Sequence, residues 1–525
     1  SLTSGLAAPT DLPVKADNEL YRQLRELSPQ KLWLEEVPKF DRLTPKERNQ
    51  QVALVRALGV VFADSRNPEM KAAVKAWMMG LLQDPNEKIR RYATAAIPKL
   101  GGDESSEKRL LDILQTTQVD REKRQVAAAL EKIGGAETLK VVAGTGNPLV
   151  SEQKLRASVA RQESPGAVRL DAVLPKQAGL KLHLRCRAGL ESIVAEEVRA
   201  AEARQGKFRV VEVRGTCVVV EPKGAFTLAE LHRLRCFDTA SFVLGLVRNP
   251  HAPAAIGELA KLIAAPRTEF LLKTLTEGAP RYRLSLLAEG NHEAAVAQVA
   301  AEAFRLNPRI LNDARESPWS VDVLFDAYSA SVELRPRLSP NPRLYYRTDA
   351  IAAASHPPLA ACLARLAGPQ PDELVWDPFC GSGLELIETA LLGDVAQVVG
   401  TDLDPAAIAI AQANFAAAKL PRTQGVFHAG DFRAVAQVPA LVRGKVSLVI
   451  SNPPLGRRVR VPNLHGLFAD LFRLSSEMLR PGGRLVFVNP LRLESLDSTL
   501  RLESRRPVDL GGYECRVEVY RKRPA

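Results

Sequence analysis

The sequence has few of the features that mark membrane, disulfide-bonded and metal-binding proteins. It contains no run of about 20 apolar residues, the length that a membrane-spanning helix needs, so we expect no membrane span. Its six cysteines include no C-x-x-C pair, which predicts reduced thiols rather than disulfides. Its seven histidines form no H-E-x-x-H motif and no ligand cluster, and this argues against a metal site.

The first residues, Ser1 to Gly5, include neither an initiator Met nor an apolar signal core. A processed chain, or one cut from a longer protein, fits this beginning. Together with the sparse cysteines it predicts a cytoplasmic location, or an organelle matrix if a presequence has been removed. The 525 residues predict about three to five domains.

The charge is strongly basic. A formal net charge of +12 and a pI near 9.4 favour a polyanionic partner. Surface solvation and RNA contact explain any single basic run about equally well. The denser runs are Arg457-Arg458-Val459-Arg460, Arg505-Arg506 and Arg521-Lys522-Arg523.

A tight glycine turn, Asp377-Pro378-Phe379-Cys380-Gly381-Ser382-Gly383, lies between an apolar strand end and a helix predicted from Leu384 to Leu392. Glycine lets the backbone pass close under a ligand. The turn lacks a full G-x-G-x-x-G, and the acid before it suits a cationic, phosphate-free cofactor such as S-adenosylmethionine. A purely structural turn is the alternative, and Cys380 is best explained as a small packing residue.

Two further acids follow predicted strands. Asp402 ends an apolar strand that begins at Gln397. A carboxylate at the end of the second strand of a doubly wound sheet is placed to accept hydrogen bonds from ribose hydroxyls. We place Asp402 and Leu403 in the cofactor site, whereas Asp404 is better explained as the N-cap of a helix over 406–418.

The second of these acids, Asp431, leaves a third strand that begins near Val426. Its carboxylate could accept from the adenine amine, and Phe432 beside it joins the predicted site. A solvated turn aspartate is the alternative.

A fourth strand, Ser447 to Ser451, runs directly into Asn452-Pro453-Pro454-Leu455. Ligands bind at the carboxyl ends of strands in open α/β sheets. The lone pair of an exocyclic base amine is delocalised into the ring, which makes the amine a poor nucleophile. An Asn oxygen and a backbone carbonyl that accept from its hydrogens would aim the lone pair at a methyl group, and two prolines would stiffen the loop. Such positioning is worth roughly 100-fold or more in rate.

These four motifs resemble the class I S-adenosylmethionine-dependent methyltransferases of the N-P-P-[YF] type. Tyr345-Tyr346-Arg347 and His356-Pro357-Pro358-Leu359-Ala360 resemble the segment before the catalytic domain in THUMP-domain RNA guanine-N2 methyltransferases, as does Gly456-Arg457-Arg458. The family includes tRNA and 23S rRNA enzymes, and the likeness covers about residues 340–525. It implies that the Pro453 carbonyl helps to orient the amine, that Pro454 and Leu455 wall the base, and that Arg457 or Arg458 contacts RNA.

One position departs from the family pattern. Members carry Tyr or Phe where this chain has Leu455, and a stacked ring is worth about 1–3 kcal/mol per base. Phe379 or Phe468 could substitute. A catalytically impaired RNA-binding or ribosome-assembly factor is therefore the competing hypothesis, and the loop chemistry alone also fits adenine N6, cytosine N4 or a protein glutamine as acceptor.

The middle of the chain predicts two α+β modules. The first has the order β-α-β-β-α-β, which is ferredoxin-like, and Leu184 to Glu191 resembles the module that precedes THUMP in the same enzymes. The second resembles THUMP, which implies contact with the tRNA acceptor end. The predicted elements are strands 180–186, 208–214, 216–221 and 241–247 with helices 190–203 and 228–235, followed by strand 282–288, helix 293–305 capped by Asn291, and hairpin strands 320–325 and 329–335.

The first 145 residues contain an internal repeat. Lys99-Leu100-Gly101-Gly102 recurs as Lys132-Ile133-Gly134-Gly135 at a spacing of 33 residues, and a further helix, Val52 to Leu58, is predicted to end at Gly59. Helix pairs with small packing residues and glycine C-caps resemble HEAT-type repeats, with a plain helical bundle as the alternative. Such repeats would bind a protein partner or extend an RNA footprint.

The whole sequence therefore predicts a multidomain protein: α-helical HEAT-like repeats, an α+β ferredoxin-like and THUMP middle, and a C-terminal α/β Rossmann-like methyltransferase with a doubly wound sheet. The predicted function is S-adenosylmethionine-dependent methylation of the N2 amine of guanosine in structured RNA, with tRNA favoured over rRNA. The predicted segments are helical repeats 1–145, linker 146–178, ferredoxin-like module 179–249, THUMP-like module 250–337 and methyltransferase domain 338–525.

Overall fold

The computed structural model of the protein describes residues 14–65, 67–163, 166–290, 292–349, 355–456 and 461–524. The chain forms two compact units. The first comprises residues 1–167, 277–284 and 292–317, and the second comprises 168–276, 285–291 and 318–525. Within the described ranges, every helix is too short or too polar to cross a membrane.

The amino-terminal part of the first unit is helical. Its apolar side chains form a continuous core that includes Leu32, Val55 and Ile97. The helices are α1 Val14–Glu26, α2 Pro29–Lys31, a π-helical turn Leu32–Glu36, α3 Val37–Asp41, α4 Pro45–Arg48, α5 Val52–Val61, α6 Pro68–Leu81, α7 Glu87–Leu100, α8 Glu104–Thr116, α9 Asp120–Ile133, α10 Ala136–Thr145 and α11 Glu152–Glu163.

The helices of this region stack in sequence. Helix α5 packs on α7, and α7 packs on α9. Helix α6 packs beside α7, and α8 packs beside α9. The prediction that α5 ends at Gly59 is wrong, because this helix continues to Val61. Gly59 is a close-packing residue instead: a Cβ there would lie 2.7 Å from the Cβ of Ala96 on α7.

The stretch predicted as a linker, 146–178, contains helix α11. Leu155 on α11 is fully buried and packs closely over Gly134, where a Cβ would lie 2.7 Å from the Leu155 Cδ1. The turn residues of the stretch flank this helix rather than replace it.

The middle of the chain follows with mixed strands and helices. The predicted strands and the long helices α12 and α16 are confirmed, with bounds shifted by up to two residues, whereas α14 and α15 were not predicted. The elements are β1 Ala167–Val168, β2 Leu182–Arg185, α12 Glu191–Gln205, β3 Phe208–Arg214, β4 Cys217–Pro222, α13 Leu228–Leu231, β5 Thr239–Arg248, α14 Ala255–Ile263, α15 Pro266–Leu275, β6 Thr276–Glu277, β7 Arg281–Leu287, α16 Glu293–Leu306, β8 Leu311–Asn312, β9 Trp319–Phe325 and β10 Ser329–Pro336.

Two details of this region differ from the predictions. Helix α13 ends at Leu231 rather than Arg235, because the chain turns so that the backbone N–H groups of Arg235 and Cys236 donate to the carboxylate of Glu197. The N-cap position of α16 is His292, and the predicted cap Asn291 lies outside the described residues.

Within the second unit, neighbouring strands of the middle region run in the order β3-β4-β2-β5-β10-β9. The pairs β3/β4, β4/β2, β2/β5, β5/β10 and β10/β9 are all antiparallel. In the first unit, β7 pairs with β8 in parallel at Arg281 and Leu311.

The carboxyl-terminal region is a seven-stranded sheet in the order β13-β12-β11-β14-β15-β17-β16. Neighbours from β13 to β15 pair in parallel, and β17 pairs antiparallel with both β15 and β16. Its elements are a 3-10 turn Pro342–Leu344, α17 Pro357–Ala367, β11 Leu374–Asp377, α18 Leu384–Gly393, β12 Gln397–Asp402, α19 Pro405–Ala418, β13 Gln424–Ala429, a 3-10 turn Val435–Gln437, β14 Val446–Ser451, α20 Leu464–Met478, β15 Leu479–Asn489, β16 Leu500–Asp509 and β17 Glu514–Lys522.

The strand order reverses between β11 and β14. The chain moves from β11 outward to β12 and β13, then returns to the other side of β11 to form β14. In open α/β sheets such a switch point leaves a crevice at the carboxyl ends of the strands, and ligands bind there. The four strands and two helices predicted around the motifs are confirmed, including Asp404 as N-cap of α19, where its side chain accepts from the Ala406 N–H.

Inside the second unit, the loop between β2 and α12 contacts this sheet at the end of β16. The Asp509 N–H donates to the Ala188 carbonyl at 3.1 Å. Gly189 has a left-handed φ of +96°, and a Cβ there would overlap the Pro507 carbonyl oxygen. The resemblance motif that contains Gly189 therefore lies at a tight backbone-to-backbone contact.

Candidate active site

The switch point brings the glycine turn and the Asn-Pro-Pro-Leu loop together. Asp377 ends β11 and is fully buried; its Oδ1 accepts from the Phe379 N–H at 3.0 Å and from the Ser451 hydroxyl at 2.7 Å. Ser451 ends β14 and is followed directly by Asn452. One carboxylate oxygen thus ties the turn to the loop.

The turn is shaped by left-handed glycines and by close packing below it. Gly381 has a φ of +49° and Gly383 a φ of +84°, a region that favours glycine. Cys380 is buried, and a Cβ on Gly400 of β12 would meet its sulfur at 2.8 Å. Burial raises the pKa of the Cys380 thiol well above its ordinary value. Cys380 therefore packs against the sheet as a neutral thiol.

A second buried carboxyl group, Glu385, was not predicted. It lies in the first turn of α18, and burial raises its pKa to about 7, although a hydrogen bond from Ser355 opposes the shift. Desolvation outweighs the favourable effect of the helix N-terminus on a negative charge. The pKa of Asp377 is also raised, first by burial and then by the nearby Glu385.

Both carboxyl groups keep a free oxygen. Among the described residues, Asp377 Oδ2 and Glu385 Oε1 are buried without a hydrogen-bond partner, as is the Ser382 hydroxyl of the turn. Buried acceptors without donors are costly, so a ligand that brings cationic donors fits here. The ammonium and sulfonium of S-adenosylmethionine have that charge.

Asp402 is held in place by backbone donors. Its Oδ2 accepts from the Gly381 N–H at 2.9 Å and its Oδ1 from the Asp404 N–H at 2.9 Å. A carboxylate has about four acceptor sites, so both oxygens can accept further hydrogen bonds. Leu403 beside it is 73% exposed.

Asp431 has a partner that the sequence did not indicate. Arg433 forms an ion pair with it, with 3.1 Å between Nη1 and Oδ2, and also pairs with Asp470 on α20. Phe432 is buried, and its ring centroid lies 4.6 Å from that of Phe379. The two rings form an apolar wall beside the glycine turn.

The amide of Asn452 is oriented by a serine from a distant segment. Its Nδ2 donates to the Ser355 Oγ at 2.9 Å, whereas its Oδ1 is buried without a partner among the described residues. Ser355 also bonds Glu385, so α18, the segment before α17 and the loop after β14 meet at this hydroxyl. No motif in the sequence singles out Ser355; only the adjacent His356-Pro357-Pro358 run lies near it.

The two rings predicted as substitutes for an aromatic residue at position 455 both have packing partners. Phe468 is fully buried against Phe487, and Phe379 packs on Phe432. Tyr513, which was not predicted, donates from its hydroxyl to the Leu455 carbonyl at 3.4 Å. Pro453 is buried, while Pro454 and Leu455 are partly buried.

The predicted RNA contacts Arg457 and Arg458 lie outside the described residues. The other two basic runs have structural partners: Arg505 pairs with Glu494 and Glu518, Arg506 donates to Ser192, and Arg521 pairs with Glu503. These three arginines thus have partners within the fold.

Comparison with known proteins finds similarity to methyltransferases. Residues 345–508 match the family UPF0020: RMKL-like, methyltransferase domain. A tRNA (guanine(6)-N2)-methyltransferase of Thermus thermophilus is 29% identical over 351 residues, covering 64% of this chain and 97% of that protein. A tRNA (guanine(10)-N2)-dimethyltransferase of Methanothermobacter thermautotrophicus is 29% identical over 146 residues, 27% of this chain and 40% of its own length.

A solved structure supports the fold. The crystal structure of TrmN from Thermus thermophilus aligns with a TM-score of 0.52 at 24% identity, covering 65% of this chain and 99% of that one. A helical amino-terminal region is thus followed by mixed α/β sheets, and the last sheet has a Rossmann-like methyltransferase fold. The match over residues 345–508 includes the glycine turn and the Asn-Pro-Pro-Leu loop.

Proposed function

We propose that the chain is an S-adenosylmethionine-dependent RNA methyltransferase that modifies the exocyclic N2 amine of a guanosine, with tRNA as the favoured substrate. The observation that carries the proposal is the Asn452 amide, whose Nδ2 is bound by Ser355 and whose Oδ1 is buried and available at the switch point. The two relatives whose names specify tRNA guanine-N2 methylation support the choice of acceptor.

The cofactor is assigned to the acidic side of the crevice. Asp377 and Glu385 offer buried acceptors to its cationic groups, Asp402 accepts from its ribose, and Asp431 lies near its adenine with Leu403 and Phe432. Pro378 to Gly383 form the surface beneath it. When bound, S-adenosylmethionine supplies a methyl group on a sulfonium; the amine nitrogen forms the C–N bond as the C–S bond breaks, leaving S-adenosylhomocysteine, and the nitrogen loses its proton to water.

The loop residues act on the acceptor. Asn452 Oδ1 and the Pro453 carbonyl accept from the two amine hydrogens and aim the nitrogen lone pair at the methyl group. Pro454 and Leu455 form a wall for the base, and Arg457 or Arg458 contacts a phosphate. No general base of perturbed pKa is needed, because the proton leaves after the methyl group has been transferred.

We also propose roles for the remaining segments. The order β3-β4-β2-β5 with helices α12 and α13 supports a ferredoxin-like module over 179–249, and the elements of 250–337 fit a THUMP module that contacts RNA. The equal offset between α7 and α9, which begin at Glu87 and Asp120 and end at Leu100 and Ile133, supports HEAT-like repeats over 1–145 that bind a protein partner. Residues 146–178 connect these to the rest, and 338–525 form the catalytic domain.

Calorimetric titration with S-adenosylmethionine tests the cofactor site. We expect micromolar affinity that collapses in Asp402→Ala. The matched control is Asp404→Ala, which removes a neighbouring carboxylate whose side chain only caps α19, and which should lower stability by about 0.5–2 kcal/mol while affinity is kept. Equal loss in both variants would contradict the assignment of Asp402.

Methyl transfer tests the acceptor. Wild-type chain incubated with unfractionated tRNA or with rRNA should produce N2-methylguanosine in the tRNA, detected by mass spectrometry of nucleosides, and Asn452→Ala should not. Detection of N6-methyladenosine or of methylated protein in place of N2-methylguanosine would show that the acceptor is an adenosine or a protein side chain instead.

The Leu455 departure favours a second candidate, an RNA-binding or ribosome-assembly factor that keeps the fold as a scaffold. Tight binding of both cofactor and RNA without transfer in a single turnover at near-stoichiometric enzyme would establish it.

A further inference from the structure

The turn between β16 and β17 is built to present one aromatic side chain. Gly511 and Gly512 have left-handed φ values of +78° and +79°, which side chains with a Cβ rarely adopt. The Gly512 N–H donates to Asp509 Oδ1 at 2.6 Å, and the Leu510 N–H donates to the Tyr513 carbonyl at 2.9 Å. Tyr513 therefore lies directly before β17, at the end of a turn whose backbone is held by these two hydrogen bonds.

The phenol of Tyr513 lies beside the position where the family carries a ring. Its hydroxyl is 3.4 Å from the Leu455 carbonyl, and both side chains are partly buried. A hydrogen bond of this length is weak, so the contact matters for placement more than for energy. The ring comes from a segment 58 residues beyond the loop.

Three other aromatic residues of the carboxyl-terminal region have packing or hydrogen-bond partners elsewhere. Phe379 is held by Phe432, Phe468 lies in the core of the sheet, and the Tyr346 hydroxyl donates to Glu388 at 2.6 Å. Tyr513, by contrast, has a hydrogen bond to the tetrapeptide.

Resting on the proposed function, we propose that Tyr513 supplies the aromatic surface for the target base that Leu455 does not. The base then lies between the Asn-Pro-Pro-Leu loop and a ring contributed by the β16–β17 turn. The ring acts on base capture, whereas Asn452 acts on transfer. This arrangement reconciles an otherwise complete site with an aliphatic fourth loop residue.

A four-variant cycle tests the proposal: Tyr513→Leu, Tyr513→Phe, Leu455→Tyr, and Tyr513→Leu combined with Leu455→Tyr. The readouts are the single-turnover rate at saturating RNA and the RNA concentration at half-maximal rate. Loss of a stacked base predicts that Tyr513→Leu raises that half-saturating concentration about ten- to a hundredfold. Tyr513→Phe keeps the ring and should stay within about threefold, and the double variant should recover at least about tenfold of the loss.

The outcomes separate the hypotheses. An inactive wild-type chain overturns the proposed function and this inference with it. An active wild-type chain whose Tyr513→Leu variant saturates at the same RNA concentration overturns the Tyr513 role alone. If Tyr513→Phe is as impaired as Tyr513→Leu and Leu455→Tyr gives no rescue, the hydroxyl contact to the loop is the function and base stacking is refuted. Unchanged S-adenosylmethionine affinity by calorimetry confirms that each variant is folded.

Discussion

Removal of the Ser355 hydroxyl should slow methyl transfer while RNA binding, and cofactor binding well above pH 7, are kept. In the structure this hydroxyl accepts from Asn452 Nδ2 at 2.9 Å and bonds Glu385. The bond decides which end of the amide faces the acceptor. With Nδ2 bound to Ser355, Oδ1 faces the position proposed for the base amine. If the amide group rotates by 180°, Nδ2 faces the amine instead, and two hydrogen-bond donors oppose each other.

The magnitude follows from the energy of one hydrogen bond. A neutral bond contributes about 0.5–1.5 kcal/mol net, and each 1.4 kcal/mol is a factor of ten in rate. Ser355→Ala should therefore lower the single-turnover rate about three- to tenfold. The same change removes the bond that lowers the pKa of Glu385, so the pH dependence of cofactor affinity should move to higher pH.

The assay is single-turnover transfer to saturating tRNA between pH 6 and pH 9, together with calorimetry of cofactor binding over the same range. Ser475→Ala is the matched control, because Ser475 on α20 is also buried and its hydroxyl has no partner among the described residues. That variant should keep the wild-type rate. A Ser355→Ala enzyme with wild-type rate and an unshifted pH profile would refute the orientation argument.

Three further predictions follow from particular contacts. Because Glu385 is half-ionised near pH 7, affinity for S-adenosylmethionine should rise about tenfold from pH 6 to pH 8, and Glu385→Gln should flatten that rise; a pH-independent wild type would contradict it. Without cofactor, the raised pKa means that the Glu385 carboxyl group stabilises the fold at acidic pH. This contribution is lost as the pH rises through about 7. Gly189→Ala should lower the free energy of unfolding in urea by about 2–4 kcal/mol, since it adds a backbone clash to left-handed strain. Gly179 is left-handed at a φ of +69° but has open space around it, so Gly179→Ala should lower that free energy by only about 1 kcal/mol. Gly59→Ala should destabilise by about 1 kcal/mol and Gly80→Ala, on the open side of α6, should stabilise by about 0.5–1 kcal/mol; the same sign for both would show that close packing at Gly59 is unimportant.

The sequence predicts the central strands of the last sheet well because each carries two signals at once. An apolar run gives the strand, and an acid or the Asn-Pro-Pro-Leu loop marks its carboxyl end. The strand order then places those ends together. Helices α14 and α15 lack comparable signals: their N-cap residues are Ala254 and Ala265, without a side-chain cap, and only two alanines separate the helices.

The contacts that complete the site lie beyond such patterns. Ser355, Glu385 and Tyr513 come from three segments that periodicity cannot relate to Asn452, and each reaches the site through tertiary packing. Glu385 had the clearest local signal, an acid in the first turn of a helix that follows the glycine turn. Its burial, which raises the pKa, could not be predicted from that position, because an exposed acid at a helix N-terminus would have its pKa lowered instead.

Helix α18 connects the docking of the middle module to the chemistry of the site. Glu385 on its first turn bonds Ser355, and Glu388, three residues later, forms a two-bond ion pair with Arg235 at 2.6 and 2.8 Å. A buried ion pair of this kind adds little net stability. Removal of one partner would leave the other charge buried without a counter-charge, so the pair constrains the position of α18 more than it stabilises the fold. The two glutamates are about one helical turn apart, and a shift of α18 that breaks the ion pair also moves Glu385. The ion pair therefore links Arg235, which lies between α13 and β5, to the helix that carries Glu385, and both lie in the second unit.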